Sequence, residues 1–398
     1  MPRVSVLMTV YNGLPYLRQA IDSVLSQTFE DFEFVIVDDG SSDGSLQTIR
    51  RYADARIRLI CNKQNLGQAQ SLNKGLELCR APFVARLDQD DVCLPTRLEE
   101  QVAALKRHPD VAVVGTWAYA IGADGHTSSV FGMRIDDYGA FLAALMTFAT
   151  PIAHPTVMFR RDAVVSLGGY DASFAPCEDY ALWCRLALVR ASAMTIRTPL
   201  VMMRMHAQQQ SRTRSLLQQA QAQRAHDRLV AACTNGSEGI LGSLLRMDET
   251  FWRMCPATPQ VKEALTALEE TFATTRTRFS LSSQEEGSFR RRILWWLGHG
   301  SAVAILQQHR QSVAMYRWIV RQQRGMFRYP AVLLYPLAYL VSPLVVPSLR
   351  ASCLATLRRV GKLKYVTRLL VNGRPRDAES LWENSHSAGI PISMEKGS

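Results

Sequence analysis

The chain opens with a nearly unbroken apolar run, Val4-Ser5-Val6-Leu7-Met8-Thr9-Val10, which stops at Tyr11-Asn12-Gly13. A run of that length bounded by turn residues reads as a buried strand with a loop at its carboxyl end. Leu14, Leu17, Ile21, Val24 and Leu25 then recur at helical spacing. Phe34-Val35-Ile36-Val37 repeats the strand pattern and ends in Asp38-Asp39-Gly40-Ser41-Ser42-Asp43, and a helix follows from about Ser45. Ile57-Arg58-Leu59-Ile60 is a third strand, and Asn65-Leu66-Gly67 opens a helix toward Cys79. Pro82-Phe83-Val84-Ala85-Arg86 leads into Leu87-Asp88-Gln89-Asp90-Asp91. Pro95 fits the first turn of a helix that His108-Pro109 ends, and Val111 to Tyr119 is a fifth strand.

Strands alternating with helices at short intervals predict parallel βαβ units in a sheet covered on both faces. Ligands of such sheets bind at the carboxyl ends of the strands. Tyr11-Asn12, Asp38-Asp39 and Asp88 to Asp91 share that address. No G-x-G-x-x-G and no G-x-x-x-x-G-K-[ST] occurs, which disfavours a dinucleotide fold and a P-loop.

Farther on, residues 121–131 read as a turn or hairpin, residues 141–148 as a helix, and His154-Pro155 as a loop leading into a strand. Glu178 and Asp179 fall in the first turn of a helix whose core side carries Leu182 and Leu186. Residues 199–211, with Arg204 and His206, read as a loop. From about residue 215 the chain turns Gln/Ala-rich and helical. This divides it into an α/β domain over 1–212, a helical region over 213–286, a basic apolar segment over 287–376 and a tail over 377–398.

Charge changes the picture mainly in the third of these. The 398 residues carry 46 Lys plus Arg against 35 Asp plus Glu, a net charge of +11, yet residues 287–376 hold 16 basic residues and no acidic one. The rest is mildly acidic. Within the basic segment, residues 302–323 form a candidate amphipathic helix with Arg310, Arg317, Arg321 and Arg324 on one stripe. Residues 329–349 are uncharged but interrupted by Pro330, Pro336, Pro343 and Pro347. Proline breaks make a dipping or interface-lying segment the expectation over a clean span, and basic flanks with Trp and Tyr fit an anionic membrane surface. A buried helical pair is the alternative. Nucleic acid is not expected as a partner, because its grooves want charge interleaved with aromatics. The eight cysteines show no metal-ligand spacing and read as reduced thiols. With an N-terminus that runs almost directly into a strand, the expected location is cytoplasmic, peripheral or monotopic on the inner face of the plasma membrane.

The chemistry concentrates in the acidic runs. Asp88, Asp90 and Asp91 form either a solvated turn or a site for a hard cation, Mg²⁺ or Mn²⁺, that also grips a diphosphate. Asp179 is either a helix-capping carboxylate or a base.

Read in order, V-S-V-L-M-T-V-Y-N-G, V-I-V-D-D-G-S-S-D-G, N-L-G with Asn73, F-V-A-R-L-D-Q-D-D, H-P-T-V-M-F-R-R, L-G-G-Y-D, C-E-D-Y-A-L-W-C-R-L and R-M-H resemble the family 2 glycosyltransferases over roughly residues 3–211. The resemblance implies the GT-A nucleotide-sugar-binding fold, an α/β architecture with a mostly parallel central sheet, followed here by a helical C-terminal region. It implies an inverting transferase that moves a sugar from a nucleoside-diphosphate sugar, with UDP and dTDP both fitting, to a hydroxyl acceptor. Thr9, Tyr11, Asn12, Asp39, Asn65, Asp88 and Asp90 are then expected on the donor. Asp90, Asp91 and His206 are expected on a divalent metal ion, with a structural or acceptor-side role open for His206. Asp179 is expected as the catalytic base, and His154 as a loop-shaping or acceptor-side residue. The basic tail makes a lipid-linked saccharide in cell-surface polysaccharide synthesis the expected acceptor. A soluble or protein acceptor, with the tail used for oligomerisation, and a nucleic-acid-binding protein with a vestigial sugar site are the alternatives. Many members carry Pro two positions before Tyr-Asn, where this chain has Thr9.

Overall fold

Four of the apolar runs become four neighbouring strands, β1 (Val4–Val10), β2 (Phe32–Asp38), β3 (Ile57–Cys61) and β4 (Phe83–Arg86), in the order β3-β2-β1-β4 and all parallel. The computed structural model describes residues 1–206, 215–234, 238–246 and 258–306. The basic stripe at 310–324, the uncharged stretch 329–349 and the tail 377–398 therefore lie outside the described residues.

Three helices make the crossovers, α1 (Leu17–Leu25), α2 (Ser45–Arg50) and α3 (Gln68–Leu78). Continuous apolar strands are what two covered faces require. Val6, Phe34, Val35 and Ile36 are at most 1% exposed, and burying each contributes about 1.5–3 kcal/mol.

Past β4 the sheet becomes mixed. A two-residue β5 (Val92–Cys93) and α4 (Arg97–Arg107) precede the long β6 (Val111–Gly122), which turns back as β7 (Thr127–Phe131). Next come α5 (Tyr138–Met146), a 3-10 turn over His154–Thr156, β8 (Met158–Arg160), α6 (Arg161–Val165), α7 (Glu178–Leu188) and β9 (Ser192–Met205). Strand β8 runs antiparallel between β4 and β6, β9 pairs parallel with β6, and β5 caps that edge antiparallel to β9. Every residue of α5 is buried, as the sequence F-L-A-A-L-M demands, and Asp137 caps it by accepting from the Ala140 amide.

Residues 199–205, read from sequence as loop, belong to β9 instead. Pro199 misled that reading, because it cannot donate to a ladder. It sits opposite Trp117, where the β6–β9 register shifts and no donor is needed.

Residues 1–232 form one unit. It includes most of α8 (Ser215–Cys233), whose buried His226 places Nε2 2.9 Å from the Met146 carbonyl and whose Arg224 stacks over the Phe174 ring. The second unit, from residue 233, contains α9 (Glu238–Arg246), α10 (Thr258–Arg278) and α11 (Ser283–Leu306). Its core joins Leu241, Leu245, Leu268, Phe272, Phe289 and Ile293, with Phe272 and Phe289 meeting edge to face. Trp296 donates to the Leu245 carbonyl at 2.8 Å. None of the helices in the described residues is long and apolar enough to cross a membrane.

Candidate active site at the carboxyl ends of the strands

The loop after β1 is caged by polar side chains from the loop after β2. The amides of Asn12, Gly13 and Leu14 donate to Ser41 Oγ, Ser45 Oγ and Asp43 Oδ2, at 2.9–3.0 Å. Asn12 in turn accepts from the Ser42 amide through Oδ1 at 2.9 Å, from a left-handed backbone (φ 49°) that asparagine tolerates. Much of the D-G-S-S-D-G run thus holds the Tyr11-Asn12-Gly13 loop in place. Tyr11 itself is 46% exposed, and Thr9 is half-buried at the end of β1.

Asp39 is 3% exposed. Its Oδ1 accepts from Asn62 Nδ2 and the Leu66 amide, and its Oδ2 from the Gly67 amide, at 2.8–2.9 Å. The carboxylate therefore fixes the segment that carries exposed Asn65 and opens α3. Gly40 completes the turn at φ +76°, where a Cβ would lie 2.8 Å from the Gln64 backbone.

The acidic turn after β4 is tied to both of its neighbours. Gln89 accepts from the Tyr11 amide at 2.8 Å and donates to the Tyr11 carbonyl at 3.2 Å. Asp88 accepts from the buried Arg86 guanidinium. Asp90 Oδ2 lies 2.8 Å from His206 Nε2, both side chains keeping a minor exposure of 19% and 14%. Asp91, expected as a second metal ligand, is 2% exposed and accepts from the Arg204 amide at 2.8 Å. Burial, then the neighbouring charges of Asp88 and Asp90, raise its proton affinity well above the ordinary value.

Arg204 braces the opposite wall. Its guanidinium donates to the Asp90 carbonyl, the Gly122 carbonyl and Gln19 Oε1, and it stacks on Tyr16, whose ring also meets His206.

On the far side, Glu178 and Asp179 start α7. Burial, opposed by the Tyr180 amide and reinforced by the negative charge of Asp88, raises the proton affinity of Asp179. Burial and then Asp179 push Glu178 up to about 7, and Glu178 Oε2 has no partner among the described residues. Burial and Asp88 likewise raise Asp90, opposed by His206. His154 is buried with Nε2 3.0 Å from the Tyr170 hydroxyl, and burial holds it well below its ordinary value. It shapes the loop that supports α7. Asn73 does similar work from α3, bonding both the Tyr170 amide and carbonyl at 2.7–2.8 Å.

Sequence reasoning missed Gln89, Arg86 and Arg204 as parts of this site. A charged residue ending the apolar run F-V-A-R was the available signal for Arg86.

Among the described residues no three His, Cys, Asp or Glu side chains are grouped closely enough to hold a metal alone. One carboxylate and one imidazole fit a divalent ion whose shell substrate phosphates complete. Asp90 and His206 provide that pair, which includes a hard oxygen donor, and they remain accessible.

Asp39, Asp88 and Asp90 thus follow the carboxyl ends of neighbouring parallel strands, and comparison with known proteins identifies the family. Residues 5–167 match Glycosyl transferase family 2. The chain is similar to the Amylovoran biosynthesis glycosyltransferase AmsE of Erwinia amylovora, 35% identical over 186 residues, 46% of this chain and 68% of that protein. It is similar to the putative glycosyltransferase EpsE of Bacillus subtilis (strain 168), 37% identical over 189 residues, 46% of this chain and 66% of that protein. It is also similar to the O-antigen biosynthesis glycosyltransferase WbnJ of Escherichia coli, 31% identical over 185 residues, 46% of this chain and 71% of that protein. The match thus spans just under two thirds of the Bacillus subtilis protein's length. The chain belongs to glycosyltransferase family 2. Its fold is like that of S. aureus TarS 1–349 solved in complex with UDP-GlcNAc, with a TM-score of 0.50 at 16% identity, covering 92% of each chain.

Proposed function

We propose that the chain is an inverting glycosyltransferase that moves a sugar from a nucleoside-diphosphate donor to a hydroxyl on a lipid-linked saccharide during cell-surface polysaccharide synthesis. The observation that carries this reading is the hydrogen-bonded linkage of the three strand-end loops to one another at the carboxyl ends of the parallel strands. A donor site and a base are two separate jobs, and here they have two separate sets of carboxylates.

Thr9, Tyr11, Asn12, Asp39, Asn65, Asp88 and Asp90 are the residues for the donor. Asp90 and His206 would hold Mg²⁺ or Mn²⁺; bound there, the ion neutralises charge on the departing diphosphate. Asp91, next to Asp90 in the same turn and held through Oδ1 by the Arg204 amide, is the remaining residue proposed for that ion. Asp179 removes the acceptor's proton as its oxygen attacks the sugar from the face opposite the diphosphate, and one such displacement inverts the anomeric centre. The raised proton affinity of Asp179 suits a group that must take a proton and give it up again.

The names of the relatives support the pathway, since one is an amylovoran and another an O-antigen biosynthesis glycosyltransferase. The basic, acid-free stretch 287–376 supports contact with an anionic membrane surface. Release of nucleoside diphosphate from UDP- and dTDP-sugars, measured with a lipid extract as acceptor, tests the reading. Asp179→Asn is expected to lower acceptor-dependent release by at least about 100-fold, and near wild-type transfer by that variant refutes the base. Flotation with anionic liposomes tests the membrane partner, because truncation near residue 285 is expected to abolish it.

A further inference from the structure

The parallel ladder between β1 and β4 ends at Leu7 and Arg86, and the Leu87 amide still donates to the Leu7 carbonyl at 3.2 Å. Beyond that point the two chains part into the Tyr11-Asn12-Gly13 loop and the acidic turn. Gln89 resumes the pairing with its side chain. Its Oε1 accepts from the Tyr11 amide at 2.8 Å, and its Nε2 donates to the Tyr11 carbonyl at 3.2 Å. A primary amide offers a carbonyl and an N–H side by side, as a peptide group does. A carboxylate would lack the donor, and asparagine is one methylene shorter. The Tyr11 groups accept the amide in this orientation alone.

Gly13 makes the seat for that side chain. It is buried, its backbone is not left-handed, and a Cβ there would lie 2.8 Å from Gln89 Oε1 and 3.1 Å from Gln89 Cδ. The next nearest atom, Val10 Cγ1, is at the ordinary contact distance of 3.4 Å. Alanine at this position would therefore meet little except Gln89, and would push its flexible end aside.

Each of the two loops also has holds of its own. The amides of Asn12, Gly13 and Leu14 are tied to Ser41, Ser45 and Asp43 from the loop after β2. The acidic turn is tied to β9, through the Arg204 bonds to the Asp90 carbonyl and to Asp91, and to His206 through Asp90. Gln89 bridges one to the other. Its removal leaves each loop its own bonds and frees the spacing between them.

We propose that Gln89 is a positioning residue that fixes the spacing between the nucleoside wall at Tyr11 and the Asp90–His206 pair, with Gly13 kept small to seat it. This rests on the donor reading given above. A ligand that spans both places gains from having them pre-set, whereas a ligand that occupies one of them does not.

UDP with Mn²⁺ spans both places, and uridine alone occupies one. Binding of each to the full chain, by calorimetry for UDP with Mn²⁺ and by saturation-transfer NMR for uridine, tests the proposal in Q89A, G13A and the double variant. The same comparison is run with dTDP and thymidine if the chain prefers them. Q89A is expected to weaken UDP with Mn²⁺ about tenfold and to leave uridine within about twofold of wild type. G13A is expected to do the same, and its addition to Q89A to change binding by less than about twofold, because both substitutions undo one clasp. The Tyr11 amide, without its acceptor, is expected to exchange roughly tenfold faster in Q89A. An unchanged affinity for UDP with Mn²⁺ in Q89A, an equal loss of uridine, additive effects of the two substitutions, or an unmoved Tyr11 amide overturns the proposal. A wild-type chain that binds neither UDP nor dTDP with Mn²⁺ would instead defeat the donor reading, and this proposal with it, so the two failures are distinguishable.

Discussion

Replacing Asp39 with Asn changes one oxygen to an amide and removes the charge, while leaving size and shape nearly constant. In the structure both oxygens are occupied, Oδ1 by Asn62 Nδ2 and the Leu66 amide and Oδ2 by the Gly67 amide, in a setting 3% exposed. Whichever way the new amide turns, its NH₂ faces at least one donor. The better orientation puts NH₂ toward Gly67, losing one bond and leaving that amide unpaired, and the worse loses two. Hydrogen bonds to a charged group contribute about 1.5–3 kcal/mol each, so the segment from Asn62 to Gly67 is expected to loosen by about 2–3 kcal/mol. Amide hydrogen exchange reads this locally. Leu66 and Gly67 are expected to exchange roughly 30- to 150-fold faster in D39N, while amides in the second unit do not change. If Leu66 and Gly67 exchange within about threefold of wild type, the carboxylate does not organise this loop and the reasoning fails.

Asn73→Ala removes both bonds to the Tyr170 backbone; a loss of about 2 kcal/mol is expected in thermal unfolding, with proteolysis appearing first near Gly168-Gly169. Glu178 has its proton affinity raised to about 7 by burial and then by Asp179. A raised value means stability that is fully present below the unfolded carboxyl value and lost as pH rises toward 7, so Glu178→Gln is expected to be more stable than wild type at pH 8, by at most about 3 kcal/mol, and not at pH 4; melting at the two pH values checks it. Asp90→Ala removes the partner of His206, and UDP with Mn²⁺, which is expected to raise the melting temperature of wild type, is expected to leave this variant unmoved; an unchanged shift argues that Asp90 holds no ion.

The strand-end addresses were legible because a fully buried strand must be a continuous apolar run, and each run here ends in polar residues. Direction was less so. Met158-Phe159-Arg160 looks the same whichever way it runs, and only tertiary pairing makes β8 antiparallel to both neighbours. Arg204 was hidden in an apparent loop because a charged residue reads as solvated, whereas here every wall around it offers an acceptor. Gln89 occupies the variable place of the D-x-D pattern, so its two bonds to Tyr11 had no signature in sequence. Asp91 could not be told from Asp90 by residue type. Tertiary packing buries one against the Arg204 amide and leaves the other facing His206.

The parallel pairing of β6 with β9 has a consequence for biosynthesis on the ribosome. Strands β1 to β4 can assemble once about the first ninety residues have emerged, but the parallel edge of β6 waits for a strand encoded some eighty residues later. Arg204 and His206 arrive at the very end of that partner. A nascent chain halted before residue 192 would carry the acidic turn without the strand that braces it, so Asp90 and Asp91 gain their neighbours only when nearly the whole unit has been synthesised.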